Sequence, residues 1–351
     1  MSGSDSVTTD PAHVMSRTAL PEEASLERQL RPQHLDEYVG QRAAVDSLRV
    51  SVEAARQRGE PLDHVLLSGP PGLGKTTLAT ILANEMSAAI VTTAGPSLER
   101  GGDLMGILTN LNERDILFVD EIHRLPRLVE ELLYPAMEDF TVNFVMDKGL
   151  HARTMRIPLR PFTLVAATTR PGMLSSPLRE RFGIFHHLDF YSLSELHDIV
   201  ARSASILGAR VEGDGARAIA QRSRGTPRIA NRLLRRVRDY VQVKGSGVVT
   251  ATSAGDALDR EGVDAMGLDR LDRRFLTAII EQYGGGPVGL EAIAATINDE
   301  AETLAEVVEP FLLKIGFVVR TPTGRKVTPP AYVHLGLATP SSSSAQGQLP
   351  I

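Results

Sequence analysis

The stretch Gly69–Thr77 reads GPPGLGKTT. It fits the phosphate-binding loop pattern G-x-x-x-x-G-K-[ST], in which glycines let backbone N–H groups surround phosphate oxygens. Lys75 places a positive charge beside the β- and γ-phosphates, and the Thr76 hydroxyl is suited to bind Mg²⁺. The apolar run His64–Ser68 predicts a buried strand before the loop, and the apolar spacing of Thr77–Met86 predicts a helix after it. We therefore predict a nucleotide site between a strand and a helix N-terminus.

The composition limits the classes of protein to which the chain can belong. At 351 residues it is long enough for two or three domains. The absence of cysteine excludes disulfides and thiolate metal sites and fits a cytoplasmic protein. No apolar run approaches the ~20 residues of a membrane span, so we expect no membrane partner. The net charge of -5 indicates that any contact with DNA is local. The terminal segments 1–25 and 338–351 are predicted to be disordered.

A second buried strand is predicted at Ile116–His123, which reads ILFVDEIH. It ends in Asp120 and Glu121, and two acids at a buried strand end are costly unless a cation or a substrate meets them. A strand that simply emerges into solvent would also explain the acids. The upstream phosphate-binding loop favours a catalytic explanation instead. We predict that Asp120 binds Mg²⁺ and that Glu121 polarises a water for attack on the γ-phosphate of ATP.

The loop followed by DEIH resembles the AAA+ ATPases, and further stretches narrow the resemblance. These stretches are LRP at Leu30, LDEYVGQ at Leu35, FTLVAATT at Phe162, SPLRERFG at Ser176 and GTPR at Gly225. Together they resemble the RuvB family, the bacterial motors that drive branch migration of Holliday junctions. The resemblance covers about Leu26–Leu337. It implies an α/β AAA+ P-loop ATPase domain with a parallel sheet and flanking helices, a helical lid domain and a C-terminal winged helix.

The resemblance also implies domain limits and site residues. The expected domains are a large ATPase domain at 26–191, a small lid at 192–262 and a winged-helix head at 265–337. The expected nucleotide contacts are Leu30, Arg31, Tyr38, Val39, Gly69, Gly72, Leu73, Gly74, Lys75, Thr76, Thr77, Tyr191 and Arg228. On pattern alone, Tyr38 and Val39 are more simply explained as core residues of an N-terminal cap. Tyr191 is explained equally well as a residue that packs at a hinge between the large domain and the lid.

Two arginine-bearing stretches complete the expected catalytic set. By resemblance, Thr169 is the sensor at the end of its strand, Arg181 is the arginine finger and Arg179 has a structural or supporting role. A finger that acts on a neighbouring subunit requires a closed ring. Arg228 lies in the first turn of a helix, where a cation opposes the helix dipole, so an anion such as the γ-phosphate would explain it. We expect the later arginines of this helix to face solvent: Arg232, Arg235, Arg236 and Arg238.

The segment Phe140–Leu159 alternates apolar and polar residues on both sides of a turn at Asp147–Gly149, which predicts a hairpin. Two further strands of the main sheet are the alternative. The apolar side chains that we expect the hairpin to expose are Val142, Phe144, Met146, Met155 and Ile157. Such an exposed set is a candidate docking surface. The resemblance implies that it binds RuvA, the junction-binding partner.

The C-terminal region Leu268–Leu337 predicts three helices followed by a strand–turn–strand wing. The third helix region is acidic and contains Asp299, Glu300, Glu302, Glu306 and Glu309. The basic residues lie on the wing instead, at Arg320, Arg325 and Lys326. We therefore predict that the wing contacts DNA phosphates, rather than that the helix reads base edges. A winged helix that binds protein, with an ordinary charged turn, remains an alternative from the residues alone.

The first functional hypothesis is a homo-hexameric ring that hydrolyses ATP and pulls duplex DNA through Holliday junctions, with RuvA and the resolvase RuvC as implied partners. A AAA+ ATP switch that loads or initiates on DNA without moving along it is the second. A regulator that binds specific sequences is the third, and the acidic helix disfavours it. DEIH also occurs in DExH helicases, but these require a second motor domain, for which the sequence shows no motif.

Overall fold

A computed structural model describes residues 29–146 and 153–339 of the chain. The lead-in 1–25, the Asp147–Gly149 turn and the tail from residue 340 lie outside the described residues. The chain divides into two compact units, one that ends at Arg260 and one that begins at Glu261. Within the described ranges, none of the helices combines the length and the apolar character needed to cross a bilayer.

The first unit is organised around a parallel sheet. Its strands are β1 Val65–Ser68, β2 Ile90–Ala94, β3 Ile116–Asp120, β4 Thr141–Met146, β5 Arg153–Pro158, β6 Thr163–Thr168, β7 Ile184–His187, β8 Arg210–Val211 and β9 Val248–Val249. Five of them form the main sheet in the order β2-β3-β6-β1-β7, and every neighbouring pair is parallel. Strands β1 and β6 are buried along their whole length, as continuous apolar strands covered on both faces should be.

Helices cover the main sheet and hold its strand ends in place. They are α1 Arg42–Arg58, α2 Lys75–Met86, α3 Gly101–Leu108, α4 Arg127–Glu138 and the short α5 Ser176–Arg179, with 3₁₀ turns at Leu35–Glu37, Gly95–Ser97, Ile122–Arg124 and Pro171–Met173. The core on one side of the sheet joins Leu117 and Leu164 of the strands to Val129 and Leu133 of α4. Because the strands are parallel, the carboxyl ends of β1, β3 and β6 meet at the same edge.

Strands β4 and β5 form a separate antiparallel pair rather than extra strands of the main sheet. The hairpin prediction therefore agrees with the structure, with Val142 opposite Ile157 and Phe144 opposite Met155. Val142 is an exception to the predicted exposure, because it is fully buried in the core beside α4. The expectation that Val142 belongs to an exposed docking surface is wrong, since it lies at the base of the hairpin where the hairpin joins the domain.

The remainder of the first unit is a helical lid. Its helices are α6 Leu193–Ile206, α7 Gly213–Gln221, α8 Pro227–Lys244 and α9 Ala251–Arg260, with a short parallel pair of β8 and β9. The helix α8 packs against the other three. As a result Arg232 and Arg235 are each only 6% exposed, and the expectation that they face solvent is wrong.

The second unit is a winged helix. Its elements are α10 Arg270–Tyr283, α11 Leu290–Ile297, α12 Ala301–Thr303, a π turn Leu304–Val308, α13 Glu309–Lys314, β10 Val318–Thr321, β11 Gly324–Val327 and α14 Pro329–His334. The predicted third helix is therefore interrupted by a π turn. Buried Phe275, Ile293, Leu312 and Val327 join the helices to the antiparallel β10–β11 wing. The final helix α14 was not predicted from the sequence.

Candidate active site

The phosphate-binding loop follows β1 and turns directly into α2. Gly69 has φ +136°, and a Cβ there would lie 2.3 Å from the carbonyl oxygen of Leu188, so only glycine fits without a shift. Gly74 has φ +102° and precedes the first residue of the helix. The buried Lys75 ammonium donates hydrogen bonds to the carbonyl oxygens of Gly69 at 2.7 Å and Pro70 at 2.9 Å. The Lys75 ammonium is thus held by the backbone of the loop, and the residue itself is the first of the helix.

A pocket opens above this loop between the sheet edge and the lid. The sequence-predicted residues that line it are Leu30, Arg31, Tyr38, Val39, Gly72, Gly74, Lys75, Thr76, Thr77, Asp120, Glu121, Thr169, Tyr191 and Arg228. Gly69 and Leu73 of the loop are buried and are not among the described residues that line the pocket. The structure therefore brings together residues separated by almost two hundred positions. Tyr38 and Val39 are half-buried pocket residues rather than core residues of a cap.

The two predicted carboxylates meet the loop at the end of β3. Asp120 is the last residue of the strand, and its Oδ1 accepts a hydrogen bond from the Glu121 backbone N–H at 2.9 Å. Burial raises the pKa of the Asp120 carboxyl, while this hydrogen bond and the charges of Lys75 and Arg228 act in the opposite direction. Glu121 has φ 51°, an uncommon conformation for a residue other than glycine.

A polar chain that sequence reasoning missed connects Glu121 to the neighbouring strand. His123 lies on the 3₁₀ turn after β3, and its Nε2 is 3.5 Å from Glu121 Oε2. Its Nδ1 forms a hydrogen bond of 3.0 Å with the hydroxyl of Thr168, the last residue of β6. The DEIH motif contained the signal, because it places a histidine two residues after the glutamate. The chain ties the acid to the strand end that carries Thr169.

Thr169 supplies a hydroxyl to the same pocket. Its Oγ1 is buried and has no hydrogen-bond partner among the described residues. A buried hydroxyl without a partner is unfavourable unless a ligand or a water completes it. Thr169 lines the same pocket as Glu121 and Lys75.

Two tyrosines and the lid helix α8 line the other side of the pocket. The hydroxyl of Tyr191 donates to that of Tyr38 at 2.8 Å and lies 3.1 Å from the carbonyl oxygen of Leu73. Burial raises the pKa of Tyr191 to about 12, so the hydroxyl remains a donor. Arg228 and Asn231 reach the pocket from the start of α8. Asn231 was not predicted, although it follows Arg228 by about one helical turn. These contacts join the loop, the N-terminal segment and the lid.

Arg181 lies away from the pocket of its own chain. Its guanidinium contacts Glu138 Oε1 at 3.0 Å, donates to the Pro177 carbonyl at 2.5 Å and stacks 4.4 Å from the centre of the Tyr134 ring. Neither Arg179 nor Arg181 is among the described residues that line the pocket. The structure therefore holds Arg181 against the end of α4, so it does not complete the site within one chain.

Comparison with known proteins finds matches to one family in all three parts of the chain. Three family models match in order: the Holliday junction DNA helicase RuvB P-loop domain over residues 30–188, the RuvB AAA lid domain over 191–264 and the RuvB C-terminal winged helix domain over 265–336. A relative from Desulfosudis oleivorans, the Holliday junction branch migration complex subunit RuvB, is 57% identical over 330 residues, which cover 94% of this chain and 96% of the relative.

The chain belongs to the RuvB family. A solved structure of the Thermotoga maritima RuvB Holliday junction branch migration motor is 51% identical, with a TM-score of 0.82, and covers 89% of this chain and 100% of that one. A Thermotoga maritima RuvB variant matches with a TM-score of 0.83 at the same identity. The resemblance and the three-part fold class are thereby confirmed, and the chain is a nucleotide-binding P-loop ATPase.

The remaining predicted sites of this RuvB-family chain lie outside the pocket. On the wing, Arg320 and Lys326 are exposed and Arg325 is half-buried. On the hairpin, the Met155 side chain is 46% exposed and Ile157 is half-buried. The side chains of Phe144 and Met146 lie outside the described residues. The wing is thus the more completely described of the two predicted contact surfaces.

Proposed function

We propose that this protein is an ATP-driven motor that moves Holliday junctions by branch migration during homologous recombination and DNA repair. The observation that carries the proposal is the convergence of three strand ends. Strand β1 brings Lys75, β3 brings Glu121 and β6 brings Thr169 into a pocket that the lid residue Arg228 also lines. A site that shares its walls between two domains can convert the state of the bound nucleotide into domain movement.

In the proposed reaction, loop N–H groups and the N-terminus of α2 hold the ATP phosphates, and Lys75 leaves its loop carbonyls to meet them. Glu121 accepts a proton from the attacking water as the water adds in line to the γ-phosphorus and the bond to the β-phosphate oxygen breaks. His123 holds Glu121 toward β6. The Thr169 hydroxyl finds its missing partner in the γ-phosphate.

The donor set also fits Mg²⁺, which prefers oxygen ligands such as carboxylates and hydroxyls. We propose that Thr76 and Asp120 hold the ion, because both line the pocket and supply a hydroxyl and a carboxylate oxygen beside the phosphate-binding loop. When bound, the ion neutralises charge on the phosphates.

A ring explains the position of Arg181. We propose a homo-hexamer in which Arg181 of one subunit enters the nucleotide site of the next and stabilises the charge of the transition state. Within one subunit, the contacts with Glu138 and Tyr134 would hold Arg181 against α4. A head-to-tail interface of this kind closes into a ring and repeats the same site at every junction between subunits.

The proposal extends to partners and domains. The hairpin residues Met155 and Ile157, with Phe144 and Met146, would dock RuvA, and RuvC would resolve the junction that the motor moves. The winged-helix head at 265–337 would hold duplex DNA by phosphates, and the ATPase domain at 26–191 with the lid at 192–262 would drive it. The cytoplasm is the expected location for such a repair complex.

A branch-migration assay tests the proposal directly. The purified full chain, a purified RuvA partner, ATP and a synthetic four-way junction are mixed, and the conversion of the junction into two duplex products is followed on a native gel. We expect conversion that depends on ATP hydrolysis and fails with a non-hydrolysable analogue. A chain that hydrolyses ATP but only associates with and leaves the junction, without moving it, would instead be a loading switch, and the motor proposal would be wrong.

A further inference from the structure

The wing carries two arginines at directly opposed positions. Arg320 of β10 and Arg325 of β11 are register partners in the antiparallel pair. Two like charges that face each other across a hairpin destabilise it. The pairing would therefore be unfavourable if nothing lay between the two guanidinium groups.

Glu309 lies between them. This residue begins α13 and its side chain is 0% exposed. Its carboxylate accepts from Arg320 at 2.9 Å on each oxygen. Its Oε1 also accepts from Arg325 Nε at 2.8 Å, and its Oε2 lies 3.4 Å from Arg325 Nη2. One buried carboxylate thus holds both arginines of the wing by their planar forks.

The wing itself is fixed to the body of the winged helix on its other side. The backbone of Arg325 exchanges two hydrogen bonds with Val288, at 2.8 Å and 3.0 Å. Gly324 has φ +142°, and a Cβ there would lie 2.3 Å from the carbonyl oxygen of Val288. Backbone pairing therefore fixes the position of the hairpin. On this fixed hairpin, the contacts with Glu309 orient the Arg320 side chain.

We propose that Glu309 is a positioning residue for DNA, in which a buried acid orients Arg320 so that its outer N–H groups meet a phosphate. Arg320 is 60% exposed although two of its nitrogens bind Glu309, whereas Arg325 is only 24% exposed. An arginine fixed in advance loses less side-chain entropy when it binds. Arg325 then supports the cluster, and Arg320 with Lys326 makes the contact.

This inference rests on the proposed contact between the wing and DNA, and it reverses a simple expectation about charge. Two arginines and one glutamate leave one net positive charge in the cluster. Removal of the negative charge would raise that to two and, by electrostatics alone, tighten binding to phosphates. If Glu309 orients Arg320, the same change weakens binding, because both arginines lose their common partner and repel each other.

The test compares Glu309→Gln with Glu281→Gln in the full chain, by fluorescence anisotropy on two duplexes of unrelated sequence over a range of salt. Glu281 is an exposed acid of the same unit, so its variant changes the net charge equally. We expect Glu309→Gln to bind about threefold or more weakly on both duplexes, with a salt slope lower by about one. Equal or tighter binding by Glu309→Gln than by Glu281→Gln would overturn the proposal.

A second pair of variants decides the matter if Glu309→Gln fails to fold, which thermal unfolding of the full chain would reveal. Arg320→Lys keeps the charge but loses the fork, since lysine is a single point donor. The exposed Arg270→Lys in the same unit is its control. We expect Arg320→Lys to weaken DNA binding and Arg270→Lys to leave it unchanged. Unchanged binding by Arg320→Lys would contradict the role of Glu309.

A double variant separates this inference from the function on which it rests. Arg320→Ala combined with Lys326→Ala removes the wing contact whatever orients it. If the double variant binds duplex DNA as tightly as the wild type, the wing does not contact DNA and both proposals fail. If the double variant binds weakly while Glu309→Gln and Arg320→Lys bind normally, only the positioning role of Glu309 fails.

Discussion

The nucleotide pocket and the wing differ in how far their polar and charged groups are paired within the protein. In the pocket, the Thr169 hydroxyl has no partner among the described residues and burial raises the pKa of Asp120. In the wing, burial raises the pKa of Glu309, but hydrogen bonds from Arg320 and Arg325 outweigh it and hold the pKa below its ordinary value. The pocket thus leaves polar groups to be completed by a ligand, and the wing completes its own.

The difference shows why the two sites should respond differently to mutation. A polar group that is paired only by a bound ligand contributes mainly when the ligand is bound. Its loss therefore lowers the reaction rate rather than the stability of the fold. A group that is already paired contributes to the fold, so its loss leaves a buried charge without a partner, which is strongly destabilising. Arg325→Ala is therefore a poor probe of DNA binding, because it removes one of the two arginines that pair with the buried Glu309 and so affects the fold of the wing as well. Lys326 is a cleaner probe.

The largest effect is expected for Arg181→Ala, which should lower the ATP turnover of the assembled ring by about a thousandfold or more while ATP binding persists. Removal of the finger leaves the pocket residues intact. Steady-state ATPase assays and binding of a fluorescent nucleotide measure the two quantities. Glu138→Gln is the matched control, because it removes the partner of Arg181 within the chain but keeps the arginine. An equal loss in both variants would assign Arg181 a structural role.

Mixing experiments extend that prediction. Arg181→Ala subunits carry an intact Lys75, and Lys75→Ala subunits carry an intact finger. Mixed rings should recover part of the ATPase activity, since some sites then combine a good pocket with a good finger. Mixed rings without any recovery, with mixing verified by a tag on one variant, would show that Arg181 does not act on a neighbouring subunit.

Glu121→Gln should lower turnover by about a hundredfold or more, within the usual range for loss of a general base. Nucleotide binding should be retained, because the loop and Asp120 are unchanged. Single-turnover hydrolysis and nucleotide titration distinguish the two steps. Glu131→Gln, an exposed acid on α4, is the control for the loss of charge. Turnover within about tenfold of the wild type, roughly 1.4 kcal/mol in the barrier, would remove Glu121 from its role.

Acid should affect the two units in different pH windows. Burial lowers the pKa of His64 below its ordinary 6.5, and the ring accepts from the Leu164 N–H at 2.9 Å and lies 3.1 Å from the Met137 carbonyl. The neutral ring is favoured in the fold, so its contribution to stability is present above pH 6.5 and is lost as the pH falls toward the folded pKa. The lowered pKa of Glu309 moves its loss to pH below 4.5.

Thermal unfolding of the full chain from about pH 7.5 to about pH 4 tests this order. The unit that contains His64 should lose stability at the milder acid, and the winged helix should lose stability only below the ordinary pKa of a glutamate. His64→Gln should flatten the upper part of the pH dependence, because glutamine does not titrate. An unchanged pH dependence in that variant would mean that His64 is not the group responsible.

The smallest effect is expected for Lys326→Ala. Lys326 is exposed, and the described ion pairs of Glu309 are with Arg320 and Arg325, so the loss of Lys326 should leave the wing folded. Duplex affinity should fall about equally on unrelated sequences, with a salt slope lower by about one. Lys244→Ala, at an exposed lysine of the lid, is the control. A loss confined to one DNA sequence would indicate base readout rather than phosphate contact.

The sequence by itself determined the strands, the helix start and the chemistry of the loop. GPPGLGKTT fits few structures other than a phosphate-binding turn, and apolar runs predicted β1, β3 and β6 to within about three residues. Its local patterns also identified the wing hairpin and the β4–β5 insertion. These features depend on neighbours along the chain, and periodicity and turn chemistry report such neighbours directly.

Only the tertiary structure decided which charged groups meet. Periodicity placed Arg232 and Arg235 outside, but three lid helices enclose α8 and bury them. The acidic third helix suggested repulsion of DNA, yet its Glu309 is the buried partner of the wing arginines. The histidine of DEIH joined Glu121 to Thr168 through a contact across two strands. Such pairings depend on distances between segments far apart in the chain, and one sequence contains no measure of those distances.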